Sequence, residues 1–189
     1  MEKKSSNKGQ SAGSGFLFFF AGFAIALIFG WVIFPKILYS VNEQPIKFSH
    51  VLEDHAELEC ENCHFFREDG SYAGIPKLET CIECHEEVQG ENPEEKKFVE
   101  EYVQKNREIP WLRYQWQPDN VYFSHAAHLK VEEPLPCTTC HRDVKKEKTP
   151  PPVRINRLTG YHYSTMKMQV CEDCHAKRGA NNACNVCHK

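Results

Sequence analysis

Residues 171–189 read CEDCHAKRGANNACNVCHK and contain the motif C-x-x-C-H twice. Three further copies precede them, so all ten cysteines belong to five motifs, motif 1 to motif 5, at residues 60–64, 81–85, 137–141, 171–175 and 184–188. Two thiols two residues apart lie on one turn of the chain, where each can form a thioether with a vinyl carbon of the same haem. The adjacent histidine can then bind the haem iron. The sequence therefore predicts five covalently attached c-type haems.

The motifs also identify the residues that hold these haems. The predicted attachment residues are Cys60, Cys63, Cys81, Cys84, Cys137, Cys140, Cys171, Cys174, Cys184 and Cys187. The predicted proximal iron ligands are His64, His85, His141, His175 and His188. An additional haem without a motif of its own is left open by this spacing.

Other uses of paired cysteines fit the pattern poorly. Structural zinc sites gather about four Cys and His ligands, and an odd number of C-x-x-C units, each followed by histidine, does not divide into such sites. Disulfides suit an oxidising compartment, but a bridge across two residues constrains almost no chain. Thioredoxin-like redox motifs need a βαβ context, which this sequence does not suggest.

The histidines outside the motifs are the candidates for the second axial ligand of each iron. Five of the ten histidines remain, and all lie within 12 residues before a motif: His50, His55, His125, His128 and His162. Five irons and five spare histidines predict bis-histidine ligation throughout, which leaves no iron open to a small ligand. Met168, three residues before motif 4, is an alternative to His162, because a thioether also binds haem iron and raises its reduction potential.

An apolar run near the N-terminus predicts a membrane anchor. Residues 16–34 are nineteen residues without a charge, and as a helix rising about 1.5 Å per residue they reach about 28 Å, close to the thickness of a hydrocarbon core. The run is longer than the core of a cleaved signal peptide and no small-x-small cleavage site follows it, which favours an uncleaved anchor over residues 16–38. Lys3, Lys4 and Lys8 place residues 1–15 in the cytoplasm by the positive-inside rule. Residues 39–189 are then periplasmic, on a single-pass protein of a bacterial inner membrane.

Composition excludes two broad classes of protein. The mean hydropathy of −0.57 is incompatible with several membrane spans. A formal net charge of −3 lacks the basic surplus of a nucleic-acid-binding protein.

The chain length limits how the periplasmic part can fold. Roughly 149 residues remain for five haems, or about thirty residues per haem, which is too few for packed layers of helix or sheet. We therefore expect a mostly α or irregular multihaem cytochrome c fold with the haems as its core, plus one transmembrane helix. Haem clusters are predicted at about residues 44–90 and 110–189. An inserted helix is predicted over 93–107, with Asn92 as N-cap and Pro93 as its first residue.

Three stretches together resemble a known family: QPIKFSHVLEDHAELECENCH (44–64), AGIPKLETCIECH (73–85) and IPWLRYQWQPDNVYFSHAAHLKVEEPLPCTTCH (109–141). Their order resembles the membrane-anchored multihaem cytochrome c subunit of alternative complex III and its relative in the menaquinone reductase (Qrc) complex. The FSHxxH element is also similar to class III multihaem cytochromes c. The resemblance implies distal-ligand roles for His125 and His128, and by looser analogy for His50 and His55. It also implies a methionine ligand at Met168.

The same resemblance implies a function and partners. The chain would be an electron-transfer subunit rather than an enzyme. It would relay electrons between soluble periplasmic c-type cytochromes and a respiratory complex with molybdopterin-oxidoreductase-like, iron–sulfur and polytopic quinone-binding subunits. The direction of flow stays open. A self-sufficient membrane-anchored quinol dehydrogenase and a catalytic multihaem reductase are the alternatives, and the latter needs an iron with an open position.

Overall fold

The computed structural model describes residues 11–188, so Lys3, Lys4 and Lys8 of the predicted cytoplasmic tail lie outside the described residues. The chain divides into two compact units. The first comprises the described residues up to Ser40 together with Ile155–Gly160, and the second comprises Val41–Arg154 and the residues from Tyr161 onward.

The first unit is dominated by one long apolar helical segment. Helix α1 (Ser11–Ile28) continues through a π-helical turn (Phe29–Ile33) into α2 (Phe34–Leu38). The π-helical turn ends two residues before Pro35, whose ring and missing N–H disturb the regular α-helical hydrogen-bond ladder. Residues Ser14–Leu38 have a hydropathy of 2.5 and are exposed along their length, so by length and composition this helix can cross a membrane.

A two-stranded sheet follows the helix. Strand β1 (Tyr39–Asn42) pairs with β2 (Val153–Asn156), which comes from much later in the chain. Within the first unit, the Arg157 N–H donates to the Leu38 carbonyl at 2.8 Å and the Ser40 hydroxyl donates to the Ile155 carbonyl at 3.2 Å.

The second unit consists of short helices joined by irregular chain. Its helices are α3 (His50–His55), α4 (Cys60–Cys63), α5 (Leu78–His85), α6 (Pro93–Phe98), α7 (Ala126–Leu129), α8 (Met168–Arg178) and α9 (Cys184–Cys187). A π-helical turn (Val99–Val103) extends α6, and a 3₁₀ turn covers Cys137–Thr139. The expectation of a mostly helical or irregular fold with one N-terminal apolar helix is confirmed.

The start of α6 follows from its local sequence. The Asn92 side chain accepts a hydrogen bond from the Glu94 N–H at 3.0 Å, and Pro93 occupies the first turn, as the sequence predicts. The helical backbone ends at Val103, four residues before the predicted end at Arg107. Asn106 then adopts a left-handed conformation with φ of 45°, which turns the chain away from the helix axis.

A small hydrophobic cluster fixes α6 against α5. It consists of Ile46, Leu78, Phe98, Val99, Tyr102 and Ile109. The segment before α3 is attached to the same place, because Lys97 Nζ donates to the Pro45 carbonyl at 2.7 Å and the Lys47 N–H donates to the Glu94 carboxylate at 3.0 Å. Among the described residues, only eight hydrophobic side chains are buried, which is a small apolar core for a chain of this length.

Candidate haem-binding sites

Each motif lies on a short helix or turn that brings its two cysteines to one side. Motifs 1, 2, 4 and 5 coincide with α4, the second half of α5, the middle of α8 and α9, and motif 3 begins with the 3₁₀ turn. In motifs 1, 3 and 5 the histidine N–H donates to the carbonyl of the first cysteine, for example His141 to Cys137 at 2.9 Å. This closed turn holds the histidine next to the two thiols, as attachment of one haem requires.

Four of the five motif histidines have the ring nitrogen Nδ1 bonded to an oxygen atom. His64 Nδ1 donates to the Gly74 carbonyl, and His175 Nδ1 donates to the Asn181 carbonyl at 3.0 Å. A carbonyl oxygen can only accept, so Nδ1 carries the proton and Nε2 keeps its lone pair. Metal-binding histidines are oriented in this way, with Nε2 left for the metal.

The other two of these histidines are bonded to side chains. His141 Nδ1 donates to Gln115 Oε1 at 2.6 Å, and His85 Nδ1 donates to Glu95 Oε1 at 2.9 Å. These partners lie 26 and 10 residues from their histidines in the sequence. The imidazoles of motifs 2 and 3 are therefore oriented by other parts of the fold.

Two pairs of histidine rings face each other at the separation that a haem iron requires. The ring centroids of His125 and His141 are 6.2 Å apart with an interplanar angle of 9°, and those of His128 and His175 are 6.2 Å apart at 27°. Where both Nε2 atoms of a pair point at one iron, two metal–nitrogen bonds of about 2.0 Å, plus about 1.1 Å from each nitrogen to its ring centre, give about 6.2 Å. These two histidine pairs therefore fit c-type haems whose iron is bound by two histidines.

Burial keeps several of these imidazoles in the neutral form that binds metal. Desolvation, with a smaller contribution from neighbouring histidines, lowers the pKa of His125 and of His141 below the ordinary histidine value. Desolvation is also the largest cause that lowers the pKa of His50, and the nearby His64 is the second largest. His50 is therefore a neighbour of the motif 1 histidine.

The structure places the remaining distal candidates as follows. His55 is exposed at the end of α3, and His162 is half-buried. The buried Nδ1 of His162 has no hydrogen-bond partner within residues 11–188. Met168 is the first residue of α8 and 57% exposed, two helical turns before His175 on the same helix.

Electrostatic interactions between thiols show which motifs are neighbours. Burial raises the pKa of Cys137 in motif 3, and the nearby Cys60 of motif 1 adds to this effect. Burial and then Cys63 of motif 1 raise the pKa of Cys81 in motif 2 to about 11. Burial and then Cys174 of motif 4 raise the pKa of Cys140 in motif 3.

Motifs 4 and 5 are neighbours in the same way. Burial, followed by Cys187 of motif 5, raises the pKa of Cys171 in motif 4. The five motifs thus form a continuous series of neighbours in the order 2, 1, 3, 4, 5. This order differs from that in the sequence only in that motif 2 comes before motif 1.

The same side chains do not form a conventional metal centre. All ten cysteines are free thiols, and within residues 11–188 no group of three or more His, Cys, Asp and Glu side chains is gathered closely enough to hold a metal ion. The potential ligands instead occur as facing pairs, which is the arrangement for a metal whose other ligands come from a porphyrin.

One relative with high identity over most of both chains decides the family. The chain is 49% identical over 186 residues to the "menaquinone reductase, multiheme cytochrome c subunit" of Nitratidesulfovibrio vulgaris (strain Hildenborough), and the match covers 90% of this chain and 89% of that protein. The chain belongs to this family of multihaem cytochromes c. The resemblance inferred from the sequence motifs is thereby confirmed.

Two family models divide this multihaem cytochrome between them. The class III cytochrome C family matches residues 35–110, which contain motifs 1 and 2. The model described as cytochrome c7 and related cytochrome c matches residues 121–189, which contain motifs 3, 4 and 5. Both are c-type cytochrome families, which bind haem covalently.

Sequence reasoning missed the groups that hold Nδ1 of the motif histidines. Gly74, Glu95, Gln115 and Asn181 belong to no motif, and their distances along the chain from the histidines differ in each case. In the sequence, Glu95 is recognisable only as part of a helix start. No signal in the single sequence marks Glu95 or Gln115 as acceptors, because their contacts with His85 and His141 form only in the folded chain.

Proposed function

We propose that this cytochrome relays electrons through five covalently bound c-type haems, as a membrane-anchored subunit of a quinone oxidoreductase complex. The facing pairs His125–His141 and His128–His175 carry the proposal, since their 6.2 Å separations match an iron held by two imidazoles. An iron with two protein ligands has no open position for a substrate. Transfer of single electrons between closed haems is then the chemistry of this chain, and reduction of a bound substrate is disfavoured.

Within this mechanism the haems supply reversible one-electron chemistry, and the protein supplies position and environment. The ten motif cysteines attach the haems, and the five motif histidines serve as proximal ligands. We assign His125 as distal ligand opposite His141, His128 opposite His175, and His50 opposite His64. His55 and His162 remain for motifs 2 and 5.

Met168 is the least favoured candidate for the second iron ligand of the motif 4 haem. It lies on the same helix as His175, whereas a distal ligand must approach the iron from the opposite side of the porphyrin. His128 already faces His175 from that side. The two facing pairs support bis-histidine ligation for motifs 3 and 4, and we extend this assignment to the other three motifs.

The order of the motifs supports a relay. Because motif 1 neighbours motifs 2 and 3, and motif 4 neighbours motifs 3 and 5, each proposed haem has a close neighbour. Electrons would enter and leave at the haems of motifs 2 and 5. One end would exchange with a soluble c-type cytochrome and the other with the membrane complex.

The helix Ser14–Leu38 is the proposed anchor, with residues 39–189 on the periplasmic side. The proposed partners are a molybdopterin-oxidoreductase-like subunit, an iron–sulfur subunit and polytopic quinone-binding subunits, together with soluble cytochrome. The printed name of the relative, a menaquinone reductase subunit, supports membership of such a complex.

The test is purification of the full chain from native membranes, with a pyridine haemochrome count of haem per chain and identification of the co-purifying subunits. Five haems, partner subunits and no carbon monoxide binding to the reduced protein are expected. Quinol oxidation by the isolated chain would favour a self-sufficient quinol dehydrogenase. Binding of carbon monoxide or nitrite would favour a catalytic reductase, and six haems would require a site beyond the motifs.

A further inference from the structure

The oxygen acceptors on the motif histidines differ in charge. His64 and His175 donate to backbone carbonyls, and His141 donates to the amide oxygen of Gln115, all of which are neutral. His85 of motif 2 donates to Glu95, a carboxylate, at 2.9 Å. Among the four motif histidines with a described Nδ1 bond, only His85 has a charged acceptor.

The Glu95 carboxylate is fixed in the ionised form. The backbone N–H groups of Gln89 and Gly90 donate to its two oxygens at 3.1 and 3.2 Å, and its side chain is only 12% exposed. The His85 ring and two backbone N–H groups thus all donate to this carboxylate, an arrangement that stabilises its charged form. The Nδ1–H group of His85 therefore donates to a carboxylate that carries a full negative charge.

The position of Glu95 is set by packing as well as by hydrogen bonds. Glu95 lies in the first turn of α6, which the Asn92 cap begins. Phe98, one turn later, is buried in the hydrophobic cluster and contacts the His85 ring edge to face at 6.2 Å. The carboxylate and the imidazole are thus held by the same two packed helices, α5 and α6.

A second carboxylate lies on the other side of the same ring. Glu53 is 4.0 Å from Nε2 of His85, the nitrogen that faces iron, and its negative charge acts in the same direction as that of Glu95.

We propose that Glu95 lowers the reduction potential of the motif 2 haem below that of the motif 3 haem, whose proximal histidine donates to the neutral Gln115. A carboxylate acceptor draws the Nδ1 proton away from the imidazole and makes Nε2 a stronger donor to iron. A stronger donor stabilises ferric iron relative to ferrous iron, so the haem is harder to reduce. This assignment rests on the proposed ligation of the motif 2 haem by His85.

The test exchanges the two acceptors in the full-length holoprotein. Glu95→Gln keeps an oxygen for His85, Gln89 and Gly90 but removes the charge, and Gln115→Glu introduces the charge at His141. Haem content is measured first, and each variant is then titrated by spectroelectrochemistry and examined by low-spin EPR. These readouts report potential and ligand field, which a purely structural role for the acceptors would leave unchanged.

The two substitutions are expected to shift the reduction potentials of two different haems in opposite directions. Glu95→Gln raises the potential of one titrating haem and alters one set of low-spin g values, Gln115→Glu lowers the potential of another, and the double variant shows both shifts. Unchanged potentials in Glu95→Gln, or an equal shift of every haem, would overturn the inference while leaving the relay function intact. A wild-type protein with fewer than five haems, lacking the one at motif 2, would instead contradict the proposed function.

Discussion

His125 and His141 face each other with ring centroids 6.2 Å apart and ring planes within 9° of parallel. His128, one turn further along, faces His175 at the same separation. The turn that contains both is short: the His128 N–H donates to the His125 carbonyl at 3.0 Å at the start of α7. One helical turn therefore offers imidazoles to motifs 3 and 4, which would hold two haems in close contact and allow fast transfer between them.

Replacement of His125 by alanine is expected to open one iron. If His125 is the distal ligand opposite His141, His125→Ala converts one of the five low-spin haems to a high-spin form. That haem would bind carbon monoxide when reduced. EPR of the oxidised protein and a carbon monoxide difference spectrum measure the change, with the haem content of the variant confirmed beforehand.

Two variants of the same turn serve as comparisons. His128→Ala is expected to open a different haem, so the double variant should show two high-spin irons. Ala127→Ser changes an exposed residue between the two histidines and is expected to leave every haem low-spin. Five low-spin haems in His125→Ala would contradict the assignment of this residue.

Met168 supplies a second, independent prediction. Since it lies on α8 with His175 and is largely exposed, Met168→Leu is expected to leave all five potentials and the low-spin spectra unchanged. The oxidised wild-type protein should also lack the near-infrared charge-transfer band of a methionine–iron bond. A band that is present in the wild type and lost in Met168→Leu would show methionine ligation and leave one histidine without an iron.

The sequence predicts this site where the chemistry is local and fails where it depends on contacts made by the fold. The C-x-x-C-H spacing predicts the attachment residues, and Asn92 and Pro93 correctly predict the start of α6, because each of these features acts over one turn. The acceptors Glu95 and Gln115 meet His85 and His141 only after distant parts of the chain have packed. The π-helical extension of α6 ends at Val103, before the predicted Arg107, which is another case, since the left-handed Asn106 turns the chain there.

The hydrophobic cluster predicts a specific site of instability. Phe98 is buried between α5 and α6, so Phe98→Ala is expected to lower the free energy of unfolding by about 3 kcal/mol through lost burial and a cavity. Guanidinium unfolding followed by far-ultraviolet circular dichroism measures the change. Val88→Ala, at an exposed apolar residue, should cost about 0.5 kcal/mol or less. Equal effects of the two substitutions would mean that the cluster contributes little to stability.

The small apolar core predicts that the chain folds only with its haems. Eight buried hydrophobic residues among those described provide little burial to offset the loss of chain entropy. Expression without the haem-attachment machinery should therefore give a chain whose circular dichroism shows no stable helices beyond the membrane helix and whose remaining residues are rapidly degraded by protease. A protease-resistant apoprotein with the helical content of the holoprotein would show that the polypeptide supplies its own core.

The apolar helix predicts both attachment to the membrane and its sidedness. A chain beginning at Val41 behind a cleavable export signal should retain its haems and appear in the soluble periplasmic fraction of a host that lacks the partner subunits, whereas the full chain should remain with the membranes. Alkaline phosphatase fused after Ser40 of the intact N-terminal segment should be active, because this enzyme requires an oxidising compartment. The lysines at positions 3, 4 and 8 provide the matching control, since replacing them by glutamate removes the positive-inside signal and should reduce reporter activity. An inactive reporter on the unaltered segment would place the haem domain in the cytoplasm and contradict exchange with periplasmic cytochromes.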